Sequence, residues 1–143
     1  MAVTATMSNH AKKQAMSGDV DYDSHTFKII LMNNTFAFDK DSDATLANVS
    51  GEELSTGNGY TQQTKALESG ELTEDDSNDR GHMTWSDVTW TASGGTIGPT
   101  GAAIIYDDTS SDDTVIGCID FGTDYSVTDG SSLEIGSIVV NLM

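Results

Sequence analysis

A chain of 143 residues is long enough for one domain with its own core, and 36% hydrophobic residues together with 14 glycines put it in the globular range. Six Lys and Arg against 23 Asp and Glu give a net charge of −17, which repels phosphate backbones and anionic lipid and excludes nucleic acid and membrane as expected partners. The lone cysteine, Cys118, excludes an internal disulfide and a cysteine-based zinc site, and no apolar run approaches the roughly 20 residues of a membrane helix.

The first predicted element is a short helix over residues 5–17. Ser8 can cap it, Gly18 can end it, and its apolar face (Ala5, Met7, Ala11, Ala15, Met16) is weak. Asp19 to Ser24 is a polar turn. His25 to Met32 reads as a strand, with Phe27, Ile29 and Leu31 alternating and a continuously apolar end. Residues 33–59 are loop-rich: Asn33-Asn34 marks a turn, Asp39, Asp41 and Asp43 form an acidic loop, and Thr45 to Leu54 can hold a turn or two of helix. Gly57-Asn58-Gly59 is a sharp turn.

Strands with turns between them follow. Gln62 to Leu72 alternates loosely, and Asp75 to Asp79 is a polar break. Gly81 to Trp90 is strand-like, and Gly94-Gly95 is another break. Ala102 to Tyr106, Val115 to Phe121 and Leu133 to Leu142 read as strands, with an acidic turn over Asp107 to Asp113. Short strands at intervals of about 10–15 residues predict an all-β fold, a β-sandwich or jelly roll with a short N-terminal helix or arm. The expected organisation is an N-terminal helical arm over 1–18 and a single β-sandwich domain over 19–143.

The chemistry-bearing residues form no recognisable catalytic or metal motif. Asp19-x-Asp21-x-Asp23 and Asp39-x-Asp41-x-Asp43 resemble the opening of a calcium loop. That loop needs Gly at its sixth position and Glu at its twelfth, and these stretches have Ser24 and Ile30, and Ala44 and Ser50, there. They read as solvated turn aspartates, as do Asp107-Asp108 and Asp112-Asp113. His10, His25 and His82 lack ligand spacing. There is no nucleophile elbow and no phosphate-binding loop, and Cys118 lies in an apolar strand as a structural thiol. No metal, no cofactor and no enzymatic activity are therefore expected. Trp85 and Trp90 could stack on sugars, although their odd spacing places them on opposite faces of a continuous strand.

The order of several segments carries a resemblance. Trp85-Ser86-Asp87-Val88-Thr89-Trp90-Thr91 precedes Ala102-Ala103-Ile104-Ile105-Tyr106-Asp107-Asp108-Thr109. Then come Ile116-Gly117-Cys118-Ile119-Asp120-Phe121-Gly122 and a last strand ending near Leu142. Upstream stand the helix, the Asp19–Ser24 turn, Thr26-Phe27-Lys28-Ile29-Ile30-Leu31 and Gly57-Asn58-Gly59-Tyr60-Thr61. This order resembles a family of small virion structural proteins of tailed bacteriophages, similar to capsid decoration (cement) proteins. The resemblance implies a non-enzymatic protein made in the host cytoplasm. It would bind the outer surface of the capsid and brace contacts between major capsid subunits, with other copies of itself in a dimer or trimer. The expected contact residues are His10, Lys12 and Lys13 in the arm, and Phe36 and Phe38 in the loop over 33–59. The alternative expectation is a tail-fibre or spike module that binds host surface glycans through Trp85 and Trp90.

Overall fold

The computed structural model describes residues 3–143. In chain order its elements are β1 (Val3–Thr4), β2 (Thr6–Met7), α1 (Asn9–Ser17), β3 (Phe27–Asn33) and α2 (Leu46–Val49). After α2 come a 3-10 turn (Ser50–Glu52), β4 (Glu71–Asp75), β5 (Arg80–Trp85), β6 (Val88–Thr91) and β7 (Ile97–Asp107). The chain ends with β8 (Val115–Val127), β9 (Ser132–Ile135) and β10 (Ile138–Leu142). The fold is all-β with few helices, and its sheets pack as a sandwich. The front sheet has strand order β1-β10-β5-β4 and the back sheet β2-β8-β7-β3, while β6 and β9 pair at one end.

The main core lies between the sheets. Phe27, Ile29, Leu31, Ala103 and Ile105 of the back sheet face Met83, Trp85, Ile138 and Val140 of the front sheet. A second cluster lies on the outer side of the back sheet. It contains Ile30, Met32, Ile104, Tyr106, Val115 and Cys118, and Val49 of α2 covers it. Both faces of the back sheet are thus buried, which is why β3 and β7 carry continuous apolar runs. The free side of β3 is not open, because Leu54 N–H donates to Leu31 O at 2.9 Å and Leu67 N–H donates to Phe27 O at 2.8 Å.

The N-terminal segment departs from the expected helix over 5–17 and from a separate arm. Residues 3–7 are extended: β1 pairs with β10 in parallel, and β2 pairs with β8 antiparallel. Ala5 and Met7 are buried while Thr4 and Thr6 are exposed, which is the two-residue period of a strand. The helix begins only after Ser8, whose hydroxyl accepts from Ala11 N–H at 2.9 Å and donates to Val115 O at 2.5 Å. It ends at Gly18, held at φ 84°.

Other boundaries shift for local reasons. Positive φ at Gln63 and Ser69 breaks the alternation expected over Gln62 to Leu72, so only its end joins β4. Ser137, at φ 43°, splits the expected last strand into β9 and β10, which belong to different sheets. β8 runs past Phe121 because residues 121–124 bulge between the Asp120↔Ala102 and Tyr125↔Thr100 pairs. Gly122 N–H is held there by Asp120 Oδ1 at 2.8 Å.

Candidate functional site

The residues expected to touch a capsid are largely engaged within the molecule. His10 Nε2 lies 2.8 Å from Asp112 Oδ2, and Lys13 Nζ donates to Gln14 Oε1 at 2.9 Å. Lys12, beside them on α1, is half-buried. Phe36 and Phe38 are half-buried and pack on the outer cluster of the back sheet, so they act mainly as its cover.

Trp85 is 5% and Trp90 4% exposed. Neither offers a ring face to a sugar, which removes the expected glycan platform. Parity on one continuous strand does not apply, because Ser86 and Asp87 separate β5 from β6 and both rings turn into the same core. Trp85 meets Phe27 with ring centroids 5.3 Å apart, and Lys65 Nζ sits 5.6 Å over the Trp90 ring.

The aspartate clusters hold backbone. Asp21 Oδ1 accepts from Asp23 N–H at 2.9 Å, and Asp39 Oδ1 accepts from Asp41 N–H at 2.9 Å. The deepest carboxylate is Asp107, fully buried at the end of β7. Its Oδ1 accepts from the N–H groups of Thr109 (2.9 Å) and Ser110 (3.2 Å), and its Oδ2 lies 2.6 Å from His25 Nδ1. Burial works to raise the Asp112 carboxyl, but the Thr114 hydroxyl and His10 outweigh it and hold it below the usual range. Neighbouring Asp113 is raised, by burial and by the charges of Asp108, Asp112 and Asp107. Burial also pushes the Cys118 thiol up to about 12, so it stays protonated and unreactive at neutral pH. Among the described residues, no group of three or more His, Cys, Asp or Glu is placed to hold a metal ion.

The surface best formed for recognition lies at a corner of the front sheet. There the interior face of β4, β5 and β10 runs out from under the sandwich. A cleft of about 370 Å³ opens between it and the chain that follows α1, lined by Val20, Tyr22, Leu72, Met83, Val140 and Leu142. Leu72 is 47% exposed, and Met16 and Met143, each next in sequence to a lining residue, are 89% and 82% exposed. The Tyr22 ring stacks on Phe27 with centroids 5.6 Å apart, and its hydroxyl is buried without a hydrogen-bond partner. The sequence reading missed this corner. Its apolar residues come from four separated segments, and only Leu72, in the acidic stretch Glu68 to Asp76, stood out locally as an isolated hydrophobe.

No family model matches the chain, and no match was found among curated proteins or solved structures.

Proposed function

We propose that this chain is a non-enzymatic virion structural protein, a capsid decoration protein that binds the outside of a tailed-phage head and braces contacts between major capsid subunits. The observation that carries the reading is a small, acidic β-sandwich with an apolar corner left open on its surface. The sequence resemblance to small phage virion proteins points the same way. A net charge of −17 keeps free copies apart before assembly. A modest apolar contact per copy is then multiplied by repetition on a lattice, so that no single interface has to be strong.

Immunogold labelling of intact particles, with an antibody raised against this chain, tests the proposal. Label over the whole head is the expected result. Label confined to the tail tip, or no label on purified particles, would overturn it.

A further inference from the structure

The open corner has a second feature, the edge of the front sheet. Among the described residues β4 pairs only with β5, and its other side faces solvent. Sheets usually protect such an edge with charged side chains, Lys above all, or with Pro, a bulge or a covering segment; the three carboxylates of β4 guard it against another acidic strand and leave it open to a basic one. Glu71-Leu72-Thr73-Glu74-Asp75 has no Lys or Pro, its register with β5 is regular, and four of its five residues are exposed.

The two faces of this strand differ. On the interior face Leu72 stands opposite Met83, and Met83 stands opposite Val140, so the apolar ladder of the core reaches the edge. On the other face stand Glu71, Thr73 and Asp75, while Glu74 shares the interior face with Leu72, in the row of Gly81 and Leu142. Asp75 is paired with Arg80 at 2.9 Å, but among the described residues no Lys or Arg pairs with Glu71 or Glu74. A second copy fits this edge badly. Antiparallel pairing of two β4 strands about Thr73 would set Glu71 against Asp75 on each side, and like charges directly opposite are destabilising.

We propose that β4 and the adjoining cleft receive an extended segment of a partner protein in which apolar side chains alternate with Lys or Arg. The segment adds to the front sheet as a fifth strand, bonding to the free N–H and C=O groups of β4. Its apolar side chains fall on the Leu72 side and fill the cleft over Met83, Val140 and Leu142. Its basic side chains fall on the side of Glu71.

The test is amide hydrogen exchange by NMR on the full chain. The probe is an acetylated peptide of alternating Lys and Val (about seven residues, an ordinary strand length), with a Glu–Val peptide as control. Slower exchange within Glu71–Asp75 and shifts at Leu72 and Met83 are expected with the Lys peptide and not with the Glu peptide. Leu72→Lys, at a half-exposed position, should keep the spectrum of the rest of the sandwich and weaken binding about tenfold or more. Unslowed β4 amides, or equal binding by Leu72→Lys, would overturn the proposal. So would protection of β4 that grows with protein concentration in the absence of peptide, which would assign the edge to a second copy.

Discussion

Asp107 shows how a chain with many acidic side chains can still bury one. Its carboxylate is stabilised by two backbone N–H groups and by the His25 imidazole, so no unpaired charge sits in the fold. Asp107→Ala strips three donors of their acceptor and should cost about 3 kcal/mol or more. Asp107→Asn keeps one acceptor oxygen and should cost less. Urea denaturation orders the two through the midpoint at constant slope, and equal midpoints for Asp107→Ala and the unmodified chain would contradict the account.

Asp112 gives a pH dependence whose sign follows from its lowered carboxyl. The folded state binds the proton less readily than the unfolded state, with its reference value of 3.8. The stabilisation is therefore present above that value and is lost as pH falls through the lower folded value. Asp112→Asn should lose less stability than the unmodified chain between pH 5 and the lowest pH at which both fold, as read from thermal midpoints. An identical acid profile for the two would show that Asp112 does not contribute.

The elements are held by close approaches as much as by propensity. β2 lies so near β8 that a Cβ at Gly117 would collide with Thr6 O. Gly117→Ala must push the N-terminal strand outward or distort β8, at about 1–3 kcal/mol. Ser8 N–H donates to Ile116 O at 2.9 Å, so its amide should lose protection from exchange in this variant. Retained stability together with retained Ser8 protection would mean that β2 does not dock as described. The same contact explains why the helix expected over 5–17 starts only after Ser8. The alternation of Val3, Ala5 and Met7 inward with Thr4 and Thr6 outward was present in the sequence, but five residues also fit the start of a helix when the paired strand is unknown.

For the whole molecule, charge and fold pull against each other. With 23 acidic and 6 basic side chains, the compact state carries a self-repulsion that salt screens over a Debye length of about 10 Å at 0.1 M. Raising sodium chloride from about 20 mM to about 0.5 M should raise the thermal midpoint by several degrees. A falling midpoint would mean that the few ion pairs, such as Lys28–Asp108 at 3.1 Å, outweigh the repulsion.

Much of the architecture was legible in local pattern. Short apolar runs between Gly, Asn and Asp turns specify an all-β chain, and the acid-rich turns, the strand at Phe27 and the strand at Ala102 lie where the residues indicate. These depend on neighbours in sequence, on backbone preferences and on side-chain period. Tertiary structure alone decided which faces are covered. It buried Trp85 and Trp90 in one core, spent His10 and His25 on Asp112 and Asp107, and laid Phe36 and Phe38 over the back sheet. It also left Leu72, Met83, Val140 and Leu142 together at an open corner. Covering a surface is a relation between residues distant in the chain, so no window of sequence contains it. What the sequence by itself determined is the kind of strands and turns and the sign of the surface, while the packing of the two sheets decided which apolar parts of that surface stay open.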